Sequence, residues 1–221
     1  MVNQLPLPFP FSPHYGALDF IAGESNEDAL AWLAPGNVWP GGRLALWGES
    51  GVGKTHLLQV WAKREGASVV DAADRRDWPS GPLAVDAADR WADEEALLHL
   101  LNAAAEAGFP VLLAGREPPA RWPVALPDLR SRLRAITAVE LRPPEEALLD
   151  ALLARLLAER QLAVTADMQG WIRMQLPRTP AALREAVGRI DGAALAARKL
   201  TWPVLRGVVT GMADADAAPC E

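Results

Sequence analysis

The sequence predicts an α/β domain built on a parallel sheet with helices on both faces, followed by a small all-α domain. Three observations carry this expectation. Residues 48–55 read Gly48-Glu49-Ser50-Gly51-Val52-Gly53-Lys54-Thr55, a complete G-x-x-x-x-G-K-T phosphate-binding loop. Short apolar runs recur at Leu44 to Trp47, Ala67 to Asp71, Leu83 to Asp86, Val111 to Ala114 and Ile136 to Leu141, with helical patterns between most of them. Such alternation is the pattern of a parallel sheet covered on both sides. After Pro143-Pro144 no strand signal returns.

The loop has a physical reading at each position. Its glycines let the backbone wrap with N–H groups inward onto phosphate oxygens, at the positive end of the helix that follows. Gly48, Ser50, Gly51, Val52, Gly53, Lys54, Thr55 and His56 form the expected nucleotide cradle. Lys54 is placed on the β- and γ-phosphates, and the Thr55 hydroxyl on Mg²⁺. The next part of the site is Pro82-Leu83-Ala84-Val85-Asp86, an apolar strand ending in an acid. That is where a Walker-B Asp holds the metal, so Asp86 joins Thr55 as a magnesium candidate. The position after it, often a second acid that polarises the attacking water, is Ala87, and Asp89 lies three residues on with uncertain reach. The run Val111 to Arg116 is the strand expected to deliver a polar group beside the γ-phosphate, but its tip carries Ala114 and Gly115. Hydrolysis at the chain's own site is therefore expected to be slow, and whether the protein is itself an enzyme stays open.

Beyond Pro144 the helical signals are continuous. Leu148, Leu149, Leu152, Leu153, Leu156 and Leu157 form one leucine face, and Met168 to Leu176 a second helix. Thr179-Pro180, an N-cap followed by a first-turn proline, opens a third that runs towards Lys199, with Thr201 to Val209 as a fourth. Earlier, Glu94 to Glu106 places Leu97, Leu98, Leu101 and Ala104 on one face.

Composition narrows the function. The chain has 221 residues, half of them hydrophobic, and a net charge of −6, which argues against a duplex-binding face. Lys199, Arg198 and Arg206 are too few to make one in the helical part, so little direct DNA binding is expected. The only cysteine is Cys220, leaving no disulfide framework and no cysteine metal site. No apolar run approaches a membrane span, and a cytoplasmic location fits.

Several segments together resemble the DnaA-like branch of AAA+ ATPases, and within it the Hda-type replication regulators. The similarity runs from Gln4 to about Met212. Asp19-Phe20-Ile21-Ala22-Gly23-Glu24-Ser25-Asn26 is similar to that branch's adenine-side segment, which adds Phe20 and Ile21 to the nucleotide site. Pro118-Pro119 and Leu126-Pro127-Asp128-Leu129-Arg130-Ser131-Arg132-Leu133 are similar to its remaining boxes. On this alignment Arg132 falls on an arginine finger that acts in trans; the alternative is a surface arginine paired with Asp128. The family's second sensor aligns with Ala181, flanked by Arg178 and Arg184, either of which could take the role. The leader Gln4-Leu5-Pro6-Leu7-Pro8-Phe9 is similar to the Hda-type sliding-clamp motif, with Gln4, Leu5, Leu7, Pro8 and Phe9 as contacts. Two prolines hold it extended and lower its ordering cost; the alternative is a strand docked on its own domain. The sequence also stops after the helical part, without the basic helix-turn-helix domain of a DnaA initiator.

The resemblance implies a P-loop AAA+ parallel sheet with a helical lid. Its expected parts are a clamp-binding leader (1–15), an AAA+ nucleotide-binding domain (16–142), a lid (143–212) and an acidic, disordered tail (213–221). The implied cofactors are ADP or ATP with Mg²⁺, and the implied partners are the DNA polymerase III sliding clamp and the initiator DnaA, with a homo-oligomer left open. The implied function is to stimulate hydrolysis of DnaA-bound ATP and so limit initiation. The alternative is a DnaA-like or helicase-loader-type ATPase acting directly.

Overall fold

The computed structural model describes residues 21–71, 80–197 and 199–216. The leader from Gln4 to Phe9, together with Phe20, lies outside the described residues. The chain divides into two compact units, Tyr15–Glu145 and a helical one from Glu146 onward.

The first unit is a five-stranded sheet, β1 (Arg43–Trp47), β2 (Ser68–Asp71), β3 (Leu83–Asp86), β4 (Val111–Gly115) and β5 (Thr137–Glu140), in the order β2-β3-β4-β1-β5. Every pairing is parallel. The helices of this unit are α1 (Glu27–Trp32), α2 (Lys54–Glu65), α3 (Glu94–Glu106) and α4 (Pro127–Arg134). Alternation along the strands builds two cores. Leu44, Leu46, Leu112 and Ala114 point to one face and meet Ala29 of α1 and Leu57, Leu58 and Trp61 of α2. Ala45, Leu83, Val85 and Leu113 point to the other, against Leu97 and Leu101 of α3 and Leu129 and Leu133 of α4. Burial on both faces explains why β1, β3 and β4 read as unbroken apolar runs. β5 is shorter than the expected Ile136 to Leu141: as an edge strand it pairs with β1 alone, from Thr137 to Glu140, while Ile136 and Leu141 are buried just beyond the ladder.

Two carboxylates tie distant backbone into this unit. Glu94, in the first turn of α3, accepts hydrogen bonds from the N–H groups of Ala125 (2.8 Å) and Leu126 (2.8 Å), fixing the approach to α4. Those two backbone donors hold its carboxyl below the usual carboxylate range. Glu145 accepts from the N–H groups of Glu24 (3.0 Å) and Ser25 (3.4 Å). Partial burial pushes its carboxyl upward, but the bonds from its own N–H, the Ser25 hydroxyl and these backbone donors outweigh that and leave it lowered. A group depressed in the folded state stabilises above its unfolded value and loses that contribution as pH falls through the folded one. Urea unfolding of Glu94→Gln should therefore show a lower midpoint than wild type at pH 7. The gap should close as the pH is taken below about 4, the ordinary glutamate value; a gap that is constant with pH would show that the charge plays no part.

Among the described residues the second unit is four helices, α5 (Glu146–Glu159), α6 (Ala166–Gln175), α7 (Pro180–Ala197) and α8 (Trp202–Asp216). The helix α8 continues through residues 213–216, the first part of the expected tail. The six leucines of α5 are all buried, as are Met168, Ile172, Leu183, Val187, Ile190, Leu205 and Val209 of the other helices. Thr165 caps α6 through the Met168 N–H (3.4 Å), and Thr179 caps α7 through the Ala182 N–H (3.2 Å). Arg173, its side chain 8% exposed, joins α6 to α5 by ion pairs to Asp150 (2.7 Å) and Glu146 (3.3 Å).

Candidate nucleotide site

Parallel strands put all their carboxyl ends on one edge, and the site forms there. β1 ends at Trp47 and the loop begins at Gly48, which is buried with φ 148°. A Cβ at this position would lie 2.3 Å from the carbonyl oxygen of Leu141, so only glycine lets the loop leave the sheet beneath the chain that follows β5. Gly51 (φ 84°) and Gly53 (φ 111°) complete the turn, and Gly53 is the N-terminal residue of the turn into α2. Val52 is buried in the core below, so its part in the cradle is its backbone N–H. Ser50 and Thr55 are exposed, and His56 is half-buried one residue further along α2.

Lys54 opens α2 and arches back over the loop, its ammonium donating to the carbonyls of Gly48 (2.8 Å) and Glu49 (2.6 Å). Partial burial lowers its pKa; Asp86 and Asp89 oppose the shift, and Arg116 adds to it. These four charges therefore share one electrostatic neighbourhood. The strand order explains how. β4 lies between β1 and β3, with Trp47 level with Gly115 and Val85 level with Leu113, so the tip of β4 sits between the phosphate loop and Asp86.

Asp86 is half-buried at the end of β3, where its Oδ1 accepts the Ala87 N–H (2.9 Å). With the exposed Thr55 hydroxyl it offers the hard oxygen donors that magnesium prefers. Among the described residues no group of three or more His, Cys, Asp or Glu could hold a metal ion, so a magnesium ion at Thr55 and Asp86 would need phosphate oxygens as further ligands. Bound there, the ion would neutralise charge on the phosphates.

In the segment expected to face the base, Asn26 staples its own neighbourhood: its amide donates to the Ile21 carbonyl (3.0 Å) and its Oδ1 accepts the Gly23 N–H (3.0 Å). This fixes Ile21 at the start of the described chain.

Arg132 is elsewhere. It lies in the last turn of α4 and is exposed. Its charge, after burial, depresses the pKa of Arg43 at the start of β1. The start of β1 is the opposite edge of the sheet from the loop, about five residues or roughly 16 Å away at ~3.3 Å per residue. Asp128 does not pair with it: the Arg132 carbonyl accepts the Ala135 N–H (3.1 Å), but its side chain has no hydrogen-bond or ion-pair partner among the described residues. Its neighbour Arg130, by contrast, donates to the Val124 carbonyl.

The second-sensor candidates lie in the helical unit. Arg178 precedes α7 and pairs with Glu146 (2.9 Å), and Arg184 is half-buried on α7.

The structure also brings in Asp89 and Arg116, which motif spacing did not place. Asp89 Oδ2 accepts the Arg116 N–H (2.9 Å) across the tips of β3 and β4.

No protein-family model matches the sequence, and no curated protein matches it. Solved structures do. Domain III of the Thermotoga maritima replication initiation protein DnaA superposes with a TM-score of 0.75 at 15% identity, covering 92% of this chain and 98% of that one. AMPPCP-bound DnaA from Aquifex aeolicus gives 0.64 at 19% identity, covering 81% and 66%. A point mutant of Thermotoga maritima RuvB gives 0.65 at 16%, covering 89% and 72%. At these identities the likeness defines the fold alone: the parallel sheet flanked by helices, with a helical C-terminal region, that those domains share. No helix of the described residues is long and apolar enough to cross a membrane.

Proposed function

We propose that this protein is a nucleotide-bound regulator of replication initiation that acts on DnaA. The leader Gln4 to Phe9 tethers it to the sliding clamp of DNA polymerase III. ADP or ATP with Mg²⁺ occupies the site formed by Gly48 to Thr55 and Asp86. Arg132 reaches the ATP held by a DnaA molecule and speeds its conversion to ADP, which limits initiation. One observation carries the reading: the Arg132 side chain is exposed, without a partner among the described residues, and its charge is felt by Arg43, at the end of β1 away from the phosphate loop. A guanidinium so placed is open to a phosphate on another molecule. A fold shared with DnaA domain III over 92% of this chain supports the choice of partner, since a molecule of that fold would carry its phosphate site on the corresponding strand ends. The leader's part rests on sequence, where prolines pre-extend an apolar peptide and a tether raises local concentration.

The test is a DnaA-ATP hydrolysis assay with this protein, with and without clamp loaded on DNA. Stimulation should require both components. Replacing Leu5 and Leu7 with Ala should abolish clamp binding and the clamp-dependent stimulation while nucleotide affinity is unchanged. Full stimulation by that double variant would remove the clamp from the mechanism, and no stimulation by wild type would remove DnaA.

A further inference from the structure

A nucleotide site that hydrolyses ATP needs a group that orients and polarises the attacking water. The position after Asp86 is alanine, and the tip of β4 is Ala114-Gly115, so the motif positions supply none. The backbone compensates. Ala87 adopts φ 49°, ψ 34°, the left-handed region that a residue with a Cβ enters only under strain. This turns the chain sharply into a 3₁₀ turn, Ala88–Arg90, closed by the Arg90 N–H on the Ala87 carbonyl (2.8 Å) and anchored by buried Ala88. The turn carries Asp89 sideways onto the tip of β4. There its Cβ and Cγ lie 3.3 Å from where a Cβ on Gly115 would stand, beside the Trp122 ring at 3.1 Å. Asp89 and Trp122 together take up the space of the side chain that β4 lacks. One carboxylate oxygen is fixed by the Arg116 N–H (2.9 Å); the other makes no hydrogen bond among the described residues. Strained backbone that delivers one polar group to a site is where function concentrates.

We propose that Asp89 is the water-polarising acid for ATP bound at this chain's own loop, so that the protein turns over its own nucleotide. The water oxygen forms the new bond to the γ-phosphorus as the bond from that phosphorus to the β,γ-bridging oxygen breaks. One water proton passes to the Asp89 carboxylate and then to solvent, and the products are ADP and inorganic phosphate. The proposal rests on the nucleotide-binding reading above, and the experiment separates the two.

ATP and ADP affinities are measured by titration, and phosphate release by single-turnover and steady-state assay, for wild type, Lys54→Ala and Asp89→Asn. Asparagine keeps an acceptor for the Arg116 N–H and removes only the charge. We expect Asp89→Asn to bind both nucleotides within about twofold of wild type and to release phosphate at least tenfold more slowly. Should its melting curve show that it does not fold, Asp89→Ser is a second neutral acceptor with the same expected loss. Wild-type turnover in a folded neutral variant overturns the proposal, as does wild-type protein that binds ATP but hydrolyses it no faster than Lys54→Ala. Wild-type protein that binds no ATP overturns both this proposal and the nucleotide reading.

Discussion

Arg132→Ala should leave nucleotide and clamp binding at wild-type levels and remove the stimulation of DnaA-ATP hydrolysis, by a factor of about 10³ to 10⁵ where a finger supplies the whole effect. The cause is charge. Negative charge spreads over the γ-phosphoryl oxygens in the transition state, and a guanidinium inserted into a water-poor contact stabilises it far more than it does the ground state. Nothing in the fold should suffer, because the side chain is exposed and uncommitted among the described residues. Arg130 is the appropriate control: it is two residues away and equally charged, but its guanidinium is engaged by the Val124 carbonyl. Single-turnover hydrolysis of DnaA-bound ATP in the presence of loaded clamp decides the matter. An unchanged rate in the Arg132 variant would end the trans-acting reading.

Gly48→Ala should destabilise the α/β unit by roughly 3 kcal/mol or more and remove nucleotide binding. The added methyl would meet a backbone oxygen, that of Leu141, at 2.3 Å. That oxygen cannot simply swing away, because the Leu141 N–H is bonded to the Trp47 carbonyl at 2.7 Å. Relief requires separating the end of β1 from the chain after β5, which breaks a buried hydrogen bond and opens the core around Leu141. Urea unfolding followed by tryptophan fluorescence measures the loss, and Gly66→Ala, also at positive φ (64°) but with nothing within 4 Å of its Cβ, separates backbone strain from the clash. Equal stability of the Gly48 variant and wild type would mean that the two chain segments are not held together in solution as they are here.

What was legible in the sequence was local or periodic. The phosphate loop declares itself because glycine dihedrals, a strand's end and a helix's start are all specified within a few residues. β1, β3 and β4 were legible because burial on both faces leaves no polar position to blur them. α1 was not: it spans six residues, too few for a helical period to emerge, and its N-cap Asn26 turns its side chain back to Ile21 and Gly23. The place of Asp89 was hidden for a different reason. Its reach depends on Ala87 entering the left-handed region, and alanine gives no notice of that as glycine or asparagine would. Glu94 and Glu145 act on backbone 31 and 121 residues distant, contacts that no window along the chain contains. The pairing of Arg178 with Glu146 likewise appears only once α5 is folded.

Gly48 and Arg132 stand at opposite ends of the same parallel strands. A joint in which the finger of one molecule meets the phosphates of another therefore unites two unlike edges, and it has a direction. Each molecule in such an array offers a donor edge and presents a recipient edge, leaving one of each unused at its two termini. A row of this kind has a first and a last member that differ chemically. On the trans-acting proposal, where this protein stood in such a row, ahead of its neighbour or behind it, would decide whose nucleotide is lost.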